Sequence, residues 1–481
     1  MKIFLLLLRS TACPVTIAIL FLLLNPDAEA QDKITLNHAD SLVGKVINGE
    51  QVREATGNVA LTHGDVKIYS NRVVQFMDRN RAELYGNVKV YKDTLSIFAP
   101  AGIYYGEESK VVCPDGATLN DSKATLKANF GIYYFIQDMA SFRGDVKITD
   151  QTSVRKYIIT SNELDYFRSV SKSYARGKVK IVTDSAVIYS DSLIYEKIIG
   201  ISTAMGRVKI ESDSTITNSD KLVYYEFDRK SIADDNVKIV FLNNNTTIRG
   251  NHGENYERTN YSFVKGKARL IQIDENDDTF DTLLIRSDKM EAFRSKSEYY
   301  VAKDSVRVIR TDFSSSSHTG YYYKNSAGKG GVISLSGSPA VWKEDLQVTG
   351  DSIYAFFVED IEKIYVNKTA FSIQFNDGFP ERYNQISGAF MLMTFSGKEV
   401  DFIRVDTSAS SIYFAYENEK PNGANRVAGE TIVLDFKNKQ VDKVRVFGLP
   451  EGVYYPENKV NLQELLLRGF KVRKDKPVRE F

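Results

Sequence analysis

A short Gly-x-Val element recurs along this chain and limits what it can fold into. It stands at Gly57-Asn58-Val59, Gly86-Asn87-Val88, Gly144-Asp145-Val146, Gly177-Lys178-Val179 and Gly206-Arg207-Val208. Variants continue it at Asp235-Asn236-Val237, Gly266-Lys267-Ala268 and Asp304-Ser305-Val306. The steps from 57 to 86, 177 to 206 and 206 to 235 are each 29 residues. A second element reads small residue, Asp or Asn, any residue, aliphatic, any residue, Tyr. Ser190-Asp191-Ser192-Leu193-Ile194-Tyr195 and Ser219-Asp220-Lys221-Leu222-Val223-Tyr224 fit it fully. It follows the first element by 13 residues, from Gly177 to Ser190 and from Gly206 to Ser219. Two elements coupled at one offset mark an internal repeat.

Alternation inside the repeat says strand. Val179-Lys180-Ile181, Val208-Lys209-Ile210 and Val237-Lys238-Ile239 put aliphatics on one face and lysines on the other. The Gly or Asp-Asn ahead of each run supplies a turn, so short strands are expected to start near Val59, Val88, Val146, Val179, Val208 and Val237. A unit of ~30 residues cannot bury its apolar face alone, and stacked neighbours bury it. The expected fold class is all-β: an elongated, repeat-built antiparallel β-jelly roll. A parallel β-helix is the competing architecture. The repeat region spans 31–339. Residues 340–456 form a second lobe with longer units, since Ile386 to Val405 aligns with Val427 to Val446 at a shift of 41. There Gly397-Lys398 and Asn438-Lys439 sit where hairpin turns belong. Asp274 to Asp278 and Ser314 to Ser317 read as loops. Residues 457–481 read as a tail, with one or two helical turns at Leu462 to Leu467 and a basic stretch from Arg468 to Arg479.

The first 30 residues read as a cleaved secretory signal. Lys2 and Arg9 flank a leucine-rich start, Pro14 to Leu24 is apolar, and Ala28-Glu29-Ala30 is a small-x-small cleavage site. Cys113 is then the one cysteine of the mature chain, so an intramolecular disulfide is ruled out. Lys and Arg number 63 against 62 Asp and Glu. No nucleic-acid partner is expected of so balanced a chain.

No enzyme chemistry stands out. His38, His63, His252 and His318 are far apart and read as scattered surface residues. Cys113 has no partner and reads as an inert buried thiol. The many Asp residues of the repeated Ser-Asp element read as turn formers that bond their own backbone. No catalytic, metal or cofactor site is expected. A modest unit used many times suits an extended surface or groove, in which each copy adds similar contacts.

The coupled Gly-x-Val and Ser-Asp-x-aliphatic-x-Tyr elements resemble the OstA-like family across about residues 45–360, with Gly337 to Tyr354 among the clearest copies. The resemblance implies a half-open β-jelly roll whose apolar interior shields acyl chains of lipopolysaccharide, or a related glycolipid, in the periplasm. It also implies that the chain bridges inner- and outer-membrane export machinery by edge-strand pairing with other components of OstA-like β-fold. The aliphatics expected to line such a groove are Val88, Val90, Val179, Ile181, Val208, Ile210, Val237 and Ile239. Lys33 to Leu36 and Leu42 to Val46 are expected at the N-terminal edge, and the C-terminal tail is expected to cap the other end. Two alternatives stay open: an exported β-solenoid scaffold or adhesin with a filled core and no lipid, and a polysaccharide-active enzyme on a β-helix.

Overall fold

The computed structural model describes residues 33–122, 124–150, 157–243, 245–276, 279–295, 298–324, 330–358, 360–376, 378–397, 399–437 and 440–478. The expected signal segment and its cleavage site lie outside these residues, as does Arg479. As far as Lys459 the backbone is strand almost throughout, its strands separated by turns, bends and short irregular links, with two three-residue 3-10 segments among the described residues, and 460–478 are turns and irregular chain. The described strand pairs are antiparallel, which removes the parallel β-helix. The chain divides into two compact units, one up to Val146 and one from Lys147.

The Gly-x-Val valines do not start strands. They sit mid-strand, in Arg81–Lys92, Lys172–Val182, Ile201–Glu211 and Lys230–Phe241. Gly177 and Lys178 both take left-handed φ, 74° and 49°, and together oppose the single residue Asp191. That is a β-bulge, which bends a strand without ending its ladder. The 29-residue repeat is therefore two long bent strands rather than several short ones. Each strand has one half on either side of its bend, and the halves of neighbouring strands line up as two arms.

The bulge explains why the two sequence elements are coupled. A Cβ placed on Gly177 would lie 2.8 Å from the Asn162 side chain, and one on Gly206 would lie 2.5 Å from Asp191. The Asn or Asp of one strand thus fills the space that glycine vacates on the next, and the positive φ suits glycine as well. These carboxylates and amides reach across strands, not to their own backbone as expected: Arg207 binds Asp191, Asn236 donates to Asp220 at 2.6 Å, and Asn129 donates to Asp145 at 2.9 Å. Four buried serines of the repeated element bond the backbone instead. Ser70, Ser161, Ser190 and Ser287 each donate to the carbonyl two residues on, at 2.9 to 3.1 Å.

Contacts between strand ends show that the arms face each other. In the N-terminal unit His63 ends one arm of Glu50–His63, and Tyr104 lies near the opposite end of Leu95–Tyr105. In a flat sheet about nine residues would separate them along the strand direction, on the order of 30 Å. Their Nδ1 and Oη atoms are 2.9 Å apart. His63 is buried, against the surface position expected for it, and burial of Cys113 pushes its thiol up to about 12. In the second unit Tyr157 and Tyr195 meet edge to face across the arms at 5.5 Å. Farther along, Arg310 lies over Phe357, Lys343 over Phe395, and Asp312 accepts from the Ile361 N–H.

Two expected loops are strand. Ser314 to Ser317 open strand Ser314–Lys324 and are buried, because Ser314 to Ser316 pair with Ala340 to Trp342 and small side chains fit beneath. Asp274 to Asn276 extend a hairpin whose partner strand begins at Thr279; 277 and 278 lie outside the described residues. One apolar cluster of the second unit runs from Val306 to Leu434 and includes residues on both sides of 339/340, Leu335 and Val341 among them.

The tail folds as a strap. Its expected helix is one turn, with the Leu465 N–H donating to the Asn461 carbonyl. Leu465 and Leu467 are buried against Phe371, Ile373, Ile412 and Phe414. Gln385 and Gln347 bracket the strap's backbone: each accepts from one N–H, of Leu467 and Arg473, and donates to one carbonyl, of Leu465 and Lys471. The strap lies on the outer face of the strands because its leucines find apolar cover there. It does not cap the edge, since Gln440–Phe447 and Glu451–Pro456 each pair, among the described residues, with Lys420–Lys437 alone.

Candidate functional site

The inward-facing residues form rows across the strands. In the second unit one row runs Ile181, Ile188, Ile210, Thr217, Ile239, Ile248, Leu270, Ile285, Val308, each opposite the next in register. Nine strands at ~4.8 Å spacing make this ladder about 38 Å long. Its ends are closed, with Ile181 9% and Val308 3% exposed. The seven residues between them are half-buried, while Val208, Val237 and Ala268 beside the bend are buried. Water therefore reaches the aliphatic face between the Tyr157–Tyr195 contact and the Arg310, Asp312 and Lys343 contacts. The facing arm is more polar there, with Ser202, Ser231, Asn255 and Ser262 pointing inward.

The rims of this stretch are apolar where turns are normally polar. Ile198 (63% exposed), Ile199 and Phe227 (60%) stand at hairpin tips of one arm, and Leu242 stands at a tip of the other. Gly200 admits Phe227, whose ring would come within 3.0 Å of a Cβ there. Each CH₂ of a ligand buried on such a surface gains about 0.8 kcal/mol.

All eight expected groove residues face the interior, but not equivalently. Val179, Ile181, Val208 and Val237 are buried in the second unit, at the bends or the closed end. Ile210 and Ile239 lie in the solvent-reached ladder. Val88 and Val90 belong to the N-terminal unit, where the corresponding row, Leu61, Ile68, Val90, Ile97, Leu119, Leu126, is fully buried. Sequence reasoning missed Ile188, Ile248, Leu270, Ile285 and the rim residues. Ile188 and Ile285 each stand two places before the serine of the second element, a signal present in the repeat.

Outside the interior, the outer face holds a charged ladder. Glu291 accepts from Tyr261 and Lys289 at 2.6 Å and pairs with Lys303 at 2.7 Å. Burial alone would push this carboxyl up, but the hydrogen bonds from Lys289, Lys303 and Tyr261 outweigh it and hold it down to about 2. Two strands away, across Phe263, Glu254 is likewise held down to about 2, with Lys230, Tyr256 and His252 overcoming burial. His252 also contacts Asp234 at 2.6 Å. Among the described residues no group of three or more His, Cys, Asp or Glu side chains converges in metal-holding fashion.

Comparison with known proteins adds a family. No protein of curated function matches the chain. Among solved structures it is similar to LptH, the LptA homologous periplasmic component of the conserved lipopolysaccharide transport device from Pseudomonas aeruginosa. That match has 11% identity, covers 25% of this chain and 95% of the other, and has a TM-score of 0.23. The family model described as OstA-like protein matches residues 31–191, a stretch that includes the Gly-x bends at Gly57, Gly86, Gly144 and Gly177. Over residues 31–191 the chain is thus similar to the OstA-like proteins, the family that its coupled sequence elements resemble.

Proposed function

We propose that this chain is a periplasmic carrier of lipopolysaccharide or a related glycolipid, holding the acyl chains on the aliphatic ladder of its second unit. The observation that carries the reading is the in-register row from Ile181 to Val308, aliphatic at every position but Thr217 and open to water along its middle. A protein that needed only a core would close this row, as the N-terminal unit closes its own. The OstA-like match supports the same reading. The filled interior of the N-terminal unit favours the scaffold reading for that part of the chain.

In this account the outermost strands join the chain to export components of related β-fold on the two membranes. Ser41–Ile47 is exposed along its length and pairs, among the described residues, with Glu50–His63 alone. Such an edge offers free backbone groups for strand addition. The test is binding of a fluorescent fatty acid to the mature chain, with displacement by purified lipopolysaccharide. Saturable binding that Ile210→Asp and Ile239→Asp weaken about ten-fold or more supports the carrier. A mature chain that binds no probe defeats it.

A further inference from the structure

Three successive hairpin tips on one lip of the second unit, 168–171, 197–200 and 226–229, present apolar side chains to water. Val170, Ile198, Ile199 and Phe227 are each more than half exposed. The tips are tied to one another in a line. The Lys197 N–H donates to the Ser171 carbonyl at 3.1 Å, the Glu226 N–H donates to the Gly200 carbonyl at 2.8 Å, and the Arg258 guanidinium donates to the Phe227 carbonyl. Neighbouring tips are two strand spacings apart, about 10 Å, so the four side chains span about 19 Å along the lip. Turn residues are ordinarily polar, and side chains this exposed add little to the core.

We infer that this lip docks on the surface of a phospholipid bilayer, its four apolar side chains entering at headgroup depth. The contact is read from the lip alone, and the carrier reading enters only for its purpose. A protein interface packs a contiguous apolar centre inside a polar rim. Here apolar residues stand on separate convex turns about 10 Å apart with charged residues between them, and a fluid surface accepts that arrangement without a complementary shape. Charge distinguishes the two lips. Arg168, Lys197, Arg229 and Arg258 on these tips and the next outnumber the acids there, Glu226, Asp228 and Glu257. The facing tips 183–186 and 212–214 carry Asp184 and Asp213 and no cation. Long basic side chains beside buried apolar ones lay their stems along the apolar boundary and their charges among lipid phosphates. With the apolar lip on the bilayer, the opening stands beside it, and an acyl chain leaving the membrane reaches Ile210 and Ile239 past Ile198 and Phe227.

The test uses the full mature chain and sucrose-loaded vesicles of phosphatidylethanolamine and phosphatidylglycerol, pelleted by centrifugation. The native chain is expected to pellet with the vesicles. The Ile198→Ser/Phe227→Ser pair should partition about ten-fold less. Val170→Ser/Ile199→Ser, which leaves Phe227 seated on Gly200, should partition several-fold less and guards against misfolding of the first pair. Leu449→Ser, at a side chain 92% exposed elsewhere in the unit, should pellet as the native chain does. The inference is refuted if the native chain stays in solution, if both paired variants pellet like it, or if Leu449→Ser loses as much as they do. Self-association that the paired variants abolish, with no vesicle binding, would assign the lip to a second copy and overturn it. The two readings fail separately: vesicle binding through the lip without fatty-acid binding would keep the lip and remove the carrier, and fatty-acid binding without vesicle binding would do the reverse.

Discussion

His63 Nδ1 and Tyr104 Oη lie 2.9 Å apart, and this contact joins the free ends of the two arms of the N-terminal unit. Both residues are buried, and Phe135 packs on Tyr104 from behind. Tyr104→Ala should cost about 3–5 kcal/mol by opening a cavity, and Tyr104→Phe about 1–2 kcal/mol by removing one buried hydrogen bond. Urea unfolding of the two variants gives the order. Equal costs would mean that the hydroxyl, not the ring, holds the arms together.

The bends test the coupling between sequence elements. Gly177→Ala forces a Cβ against Asn162 at a φ of 74°, and should destabilise by about 1–3 kcal/mol. Adding Asn162→Ala should recover the steric part and leave the backbone part. A double variant no more stable than Gly177→Ala would show that the side chain is not what excludes a Cβ.

Acid should loosen the outer face of the second unit. Glu254 and Glu291 are both held at about 2, below the ordinary glutamate value. A depressed folded-state value means that the stabilisation is present in full above the unfolded value of about 4.3 and is lost as pH falls from there toward 2. Unfolding midpoints between pH 6 and 2 should therefore drop mainly below about pH 4.5, and Glu291→Gln should flatten that drop. A midpoint in the variant that falls as steeply as in the native chain would contradict the assignment.

The strap gives a local test. Leu465→Ala with Leu467→Ala should strip cover from Phe371 and Ile373. Amide exchange there should rise sharply while protection of Ile181 to Ile210 stays as it was. Because the strap buries apolar surface, deleting 461–481 would expose it, and association of such a truncation would not report on edge pairing.

The strand content, the antiparallel repeat and the inward face of each valine were legible in the sequence. Period-two alternation in Val179-Lys180-Ile181 fixes which side chains share a face whether or not a strand begins there. The bend was not legible. A Gly-x pair reads as a turn, and only the register shows it facing one residue and continuing the ladder. The open stretch was hidden for a related reason: Val90 and Ile210 occupy the same repeat position, yet one is buried and the other solvent-reached. Their difference depends on how closely the arms approach, which tip residues such as Tyr104 and Phe357 set. The buried Ser314 to Ser317 run was misread because serine favours loops by composition, whereas here small size is what the packing uses.

The central claim, that the open ladder holds acyl chains, is tested most directly by photo-crosslinking in cells. A photo-reactive residue would be placed singly at Ile188, Ile210, Ile239 or Ile285, with Lys180 on the outer face as control. The account predicts glycolipid adducts at the four ladder positions and none at Lys180. Adducts to protein alone at the ladder, or equal glycolipid labelling at Lys180, would contradict it.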